Sequence, residues 1–141
     1  MANTRIDTGH GGSITFGTSA RAANWLTIDP GERSRPAIDI THLASTSPTY
    51  MAGDLEEPGE VKLTFQWDPA GSTAWYATST TAETVTITWP VAPGGTTAAT
   101  YAGTGLVTNV KFPTLATSQV QTGEMTIKWS GGTPPAWTAG N

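Results

Sequence analysis

A chain of 141 residues suits one domain with enough length for a single two-layer core. Its charged fraction is 13% and its net charge −4, against about 25% charged residues in an ordinary soluble domain, and seven scattered Lys and Arg exclude an electrostatic grip on nucleic acid. Cysteine is absent, which excludes a disulfide framework, a thiolate nucleophile and a Cys-based zinc site.

Threonine is abundant, with 27 copies, and its β-branched side chain favours a pleated surface over a helix. In chain order, the opening MANTRIDTGHGG is an expected N-terminal arm over residues 1–12. It lacks a hydrophobic signal region, and no apolar run approaches the ~18 residues of a membrane span. The expectation is a protein folded in a reducing cytoplasm, without membrane insertion. Short strand candidates follow in SITFG, WLTID and PAIDI.

The span from Ile40 to Gly59 lacks periodicity and carries Pro48, Gly53, Pro58 and Gly59. A loop this long inside a compact domain is usually functional or disordered. It closes on GDLEEPGE, which concentrates Asp54, Glu56, Glu57 and Glu60.

The strongest strand comes next. In EVKLTFQWD, Val61, Leu63, Phe65 and Trp67 share one face, with Lys62, Thr64 and Gln66 on the other. Beyond Asp68-Pro69, Ser72 is a candidate N-cap and Ala74, Trp75, Ala77 and Thr78 have helical spacing, so one short helix is predicted over 72–80. ETVTITW sets Val85, Ile87 and Trp89 against three threonines, and EMTIKW sets Met125, Ile127 and Trp129 against Thr126 and Lys128. Between them, GLVTNVKF places Leu106, Val110 and Phe112 on the apolar side. Alternation of this kind marks antiparallel strands with one buried face. SGGTPPAWTAGN ends the chain as an expected arm over 130–141. The predicted fold is mainly β: an antiparallel sandwich or half-barrel of about seven strands with one short flanking helix.

Candidate sites are few. Paired carboxylates for acid–base work need a pocket that separates their pKa values, and a Gly- and Pro-rich loop offers none. The EF-hand spacing is missing. His10 and His42 are isolated, and two histidines without further ligands make a weak metal signal. No serine sits in G-x-S-x-G, and GTGL at 103–106 is half a dinucleotide fingerprint placed between strands. No enzyme activity and no cofactor are expected. Exposed tryptophans on a Thr- and Gly-rich sandwich would suit a carbohydrate-binding or adhesive module, the alternative reading. A different feature points to self-association: from Pro69 through Val110 the only formal charge is Glu83. Monomers spread charge over their surfaces, whereas interface centres are depleted in it.

The ordered features, from GGSITFGTSARAANWLTID and IDITHLAST through EEPGEVKLTFQWDP, TVTITWP, YAGTGLVTNVKFPT and GEMTIKWSGG, resemble the major tail tube proteins of long, non-contractile-tailed bacteriophages of the lambda-like siphophage type. The resemblance covers most of the chain. It implies a structural virion protein made in the host cytoplasm, whose hexameric rings join their sheets into a ring-shaped β-barrel. Stacked rings would enclose a tape-measure protein, meet tail tip, initiator and terminator proteins, and later pass DNA through the lumen without specific binding. The long loop 41–59 and the two terminal arms are implied to contact neighbouring rings. The inter-subunit candidates are His42, Tyr50, Asp54, Glu56, Glu57, Glu60, Trp75 and Trp137. The acidic loop is expected to be mobile in the monomer and to dock on a neighbour's Arg5, Arg21, Arg33 or Arg35. Lys62, Thr64, Gln66, Thr126 and Lys128, the polar faces of the clearest strands, are the lumen-facing candidates.

Overall fold

The computed structural model describes residues 7–141. The strands are β1 (Ser13–Phe16), β2 (Asn24–Asp29), β3 (Ala37–Asp39), β4 (Tyr50–Ala52), β5 (Glu60–Gln66), β6 (Glu83–Thr88), β7 (Thr100–Lys111), β8 (Thr122–Ser130) and β9 (Ala136–Thr138). Seven of them form one antiparallel sheet in the order β1-β6-β7-β8-β5-β2, with β9 added to β7. β3 and β4 stand apart as a two-stranded pair.

The alternating strands behave as period two requires. Val61, Leu63 and Phe65 are buried on β5, Val85 and Ile87 on β6, and Met125, Ile127 and Trp129 on β8. Ile14, Phe16, Tyr101 and Val107 complete the core. Trp67 and Trp89 pack against it from the strand ends, partly exposed. The sheet curls round this core into a half-barrel, so its two edges approach each other. The Phe16 ring on β1 and the Trp25 ring on β2 lie 6.3 Å apart across the seam. Among the described residues no backbone ladder joins β1 to β2, and each keeps a free edge.

Two sequence expectations fail locally, for identifiable reasons. On β7 the core residue is Val107, 2% exposed, rather than Leu106. The ladder to β8 shifts register between Val107 and Asn109, and such a bulge turns the side chains beyond it by one position. Val110 therefore still packs on the core, while Phe112, in the same phase but past the end of β7 at Lys111, is left 63% exposed.

The helix predicted over 72–80 is a single 3-10 turn, Thr73–Tyr76. Ser72 caps it as expected, accepting from the Ala74 amide. Ala77 is already extended, the following residues are poor helix formers, and the sheet claims Ser79. The Ser79 amide donates to the Val107 carbonyl at 2.9 Å, and the Val107 amide donates to Ser79 Oγ at 3.0 Å.

The C-terminal segment is stitched to the sheet. β9 pairs Trp137 with Tyr101 on β7, and the Thr96 amide donates to the Asn141 carbonyl at 2.7 Å. Of the N-terminal arm, residues 1–6, Arg5 included, lie outside the described residues.

Candidate assembly surfaces

The aperiodic span is built as a β-hairpin. Ile38 pairs with Met51 and Asp39 with Tyr50. The pairing continues at both ends of these short strands: the Ile40 amide donates to the Thr49 carbonyl, the Gly53 amide to the Pro36 carbonyl, and Ser34 and Glu57 exchange both backbone bonds. Hydrogen bonding thus runs from Ser34/Glu57 to a tip near Ser45. Every residue of β3 and β4 is exposed, and the pair packs on each other rather than on the main sheet. The span is an arm, and its order comes from backbone bonds instead of burial.

The stretch Asp39-Ile40-Thr41-His42 makes the tip. The Thr41 amide donates to Asp39 Oδ1 at 2.8 Å, and hydrogen bonding from the Thr41 side chain and then from this amide holds the Asp39 carboxyl below its ordinary pKa. Thr41 Oγ1 accepts from the Thr49 amide at 2.8 Å across the hairpin. His42 Nδ1 accepts from the Ala44 amide at 3.3 Å, and Ser45 Oγ accepts from the His42 amide at 3.0 Å. His42 is a turn residue. Tyr50 stands on β4, 59% exposed.

The acidic octet is the root of the arm, and it is not loose. Glu56 bonds Arg33 Nε through Oε1 and sits 3.5 Å from Arg35 Nη2 through Oε2. The bond from Arg33 holds the Glu56 carboxyl below its usual range, and the same bond raises the Arg33 guanidinium. Arg35 Nη1 also donates to the Gly53 carbonyl at 2.8 Å. The cations expected on a neighbour are thus supplied by the facing strand of the same hairpin. Asp54, Glu57 and Glu60 remain exposed around that clasp.

Arg21 is also occupied. It is 6% exposed, donates from Nη1 to the Trp75 carbonyl, and lies 5.8 Å from the Phe16 ring centroid. Burial lowers its pKa, with the Glu83 charge opposing. Trp75 itself is half-buried on the 3-10 turn. Trp137, 52% exposed, meets the Trp89 ring edge-on at 4.9 Å.

The five lumen-facing candidates do lie together. Lys62 is opposite Thr126, Thr64 opposite Glu124, Gln66 opposite Thr122 and Lys128 opposite Glu60, and cross-strand partners point to the same side. β2 adds Asp29 beside Lys62. The outer face of β5, β8 and β2 is therefore one polar surface of threonines and charges of both signs, with Lys111 3.9 Å from Glu124 at its border.

Sequence reasoning missed a second apolar surface. Phe112, Leu115 and Val120 are 63%, 78% and 71% exposed on the β7–β8 connection. The available signal was its wording, FPTLATSQVQ, ten residues without a charge.

No family model matches the sequence, and no curated protein matches it. Solved structures do. A chain from the PVC sheath/tube terminator of an extracellular contractile injection system, in its extended state, aligns with a TM-score of 0.75 at 13% identity, covering 98% of this chain and 100% of that one. A chain from the anti-feeding prophage (AFP) tube terminating cap gives 0.76 at 10% identity, over 98% and 94% of the two chains. A chain from the PVC sheath-tube complex gives 0.69 at 13% identity, over 91% and 88%. At such identities the likeness is one of fold, and it runs through nearly the whole chain: this half-barrel is similar to chains from the sheath/tube terminator and sheath-tube complex of an extracellular contractile injection system and from the tube terminating cap of the anti-feeding prophage.

Proposed function

We propose that the chain is a structural tail-tube subunit, the major tube protein of a long non-contractile phage-type tail. Its copies close into hexameric rings that stack into a channel for genome delivery. The observation that carries this reading is the hairpin arm, held by its own hydrogen bonds, with Leu43 bare at its tip and, among the described residues, nothing from the main sheet packed on its strands. An exposed hairpin of that kind is an assembly element. The free edges of β1 and β2 add a second motive, because unpaired edges are an aggregation liability that pairing within a ring removes. The fold likeness to tube, cap and terminator assemblies supports a virion location and a structural rather than catalytic role.

The outer polar face of β5 and β8 is assigned to the channel. Threonines and balanced charges there would hold no excess of phosphates, whereas a cationic wall would release counterions and retain DNA. The tape-measure protein would occupy this lumen before DNA, and initiator and terminator proteins would meet the two tube ends. A carbohydrate-binding role has less support: of six tryptophans only Trp137 is exposed, so no face presents a row of aromatic platforms. Sedimentation of the purified chain against concentration, paired with a glycan array, tests the reading. Growth into rings or tubes without glycan binding is expected, and a monomer that binds glycans would refute it.

A further inference from the structure

The large apolar side chains that stand exposed fall into groups. Of the twelve among the described residues, six belong to the hairpin arm and three, Phe112, Leu115 and Val120, to the β7–β8 connection. The two groups sit at opposite ends of the sheet. The arm leaves beside Glu60, which pairs with Lys128, and the connection lies beside Gln66, which pairs with Thr122. The length of β5 holds these ends roughly 20 Å apart.

Both segments are free of formal charge, which begins at the flanking Asp39 and Asp54 on the arm and Lys111 and Glu124 at the connection. No Asp, Glu, Lys or Arg occurs between Ile40 and Gly53 or between Phe112 and Gln121. Ile38 and Met51, opposite each other, form an apolar strip on one face of the arm, and Leu43 projects at its tip with no cover at all. Beneath the connection, Trp67 stacks on Tyr76 with centroids 4.0 Å apart and meets Phe112 at 4.9 Å. That stack is a fixed apolar floor.

We infer that the arm tip of one copy seats on the Phe112–Val120 patch of the copy ahead of it. A second copy is the occupant because both halves of an uncharged apolar contact are present on this one chain, where they cannot meet. A charged partner would be desolvated against either surface without compensation. The contact joins two different surfaces, so it is heterologous, and placed at opposite ends it repeats along an axis without closing. It assigns the arm to stacking of rings and leaves the free β1 and β2 edges for closure within a ring. This rests on the tube reading and names the receptor surface within it.

The cysteine-free sequence makes the contact directly readable. Leu43→Cys and Leu115→Cys, at positions 109% and 78% exposed, are purified singly, checked for parental melting temperature, mixed and oxidised under assembling conditions. The expected product is a mixed disulfide dimer, at least tenfold more abundant than that of Leu43→Cys with Thr138→Cys, an exposed position at the arm's own end of the sheet. Separately, Leu115→Asp should raise the concentration needed for assembly by roughly tenfold or more, the worth of one buried leucine, with an unchanged melting temperature. Assembled particles linked through position 138 but not 115, or assembly indifferent to Leu115→Asp, would overturn this inference and leave the tube reading standing. Absence of any assembly by the parent chain would overturn both.

Discussion

Gly31 and Gly59 face each other across the root of the arm, and each lies against the backbone of the residue next to the other. Both have left-handed φ, +78° and +79°, and a Cβ on Gly31 would strike the Glu60 carbonyl while one on Gly59 would strike that of Glu32. The arm turns out of the sheet through this reciprocal pair, where only glycine supplies the conformation and the space. Gly59→Ala should cost about 1–2 kcal/mol for the left-handed residue alone, and lower the melting temperature by about 2–8 °C. Gly94→Ala is the control, since Gly94 has φ +76° and nothing within 4 Å. A thermal melt in which Gly94→Ala is as damaging as Gly59→Ala would show that the close approach contributes nothing.

The clasp at Glu56 predicts an acid-sensitive arm. Its carboxyl is held below the usual range by the Arg33 hydrogen bond and then by the charges of Arg33 and Arg35. A depressed pKa contributes order that is complete above the unfolded value of about 4.3 and is lost as pH falls through the folded value. Amide exchange at Ser34 and Glu57, which bond each other, should therefore quicken relative to the core below about pH 4. In Glu56→Gln the same amides should be less protected at neutral pH, and the acid step should vanish. An acid step that persists in Glu56→Gln would assign it to another carboxylate.

The bulge in β7 separates two neighbouring aliphatic residues by their cost. Val107→Ala should destabilise by about 1.5–3 kcal/mol, the worth of a fully buried side chain. Leu106→Ala should cost clearly less, although leucine is the larger residue. Urea denaturation gives both values, and the reverse order would restore the unshifted alternation of GLVTNVKF.

Charge on the proposed channel face should act on DNA without acting on assembly. Thr64→Lys places a cation opposite Glu124, and Thr126→Lys places one opposite Lys62. Tubes should form as in the parent, while DNA passage slows at low salt and recovers as salt rises. Passage that is unchanged at low salt would move the lumen to another face.

The core was legible because β5, β6 and β8 bury one face and expose the other, so period two registers directly in their sequences. The arm was not. Both faces of β3 and β4 are exposed, which leaves no alternation to read, and the pairing of Ser34 with Glu57 depends on backbone bonds that side-chain type does not encode. The acidic octet stood out correctly as unusual, yet its partners Arg33 and Arg35 lie some twenty residues upstream on the facing strand, a relation set by the hairpin register. The glycines of GTGL are explained by packing: a Cβ on Gly105 would lie 2.8 Å from Ile127 Cγ2. Leu106 was assigned to the core because the Val107 shift is invisible in an otherwise regular pattern.

Electron microscopy of the purified chain, across a rising concentration series, tests the central claim of self-assembly most directly. Rings and stacked tubes of uniform diameter, lost when the arm residues from Ile40 to Gly53 are replaced by a short glycine turn, are the predicted result. Particles of single-chain size at every concentration, or tubes that form equally well without the arm, would contradict it.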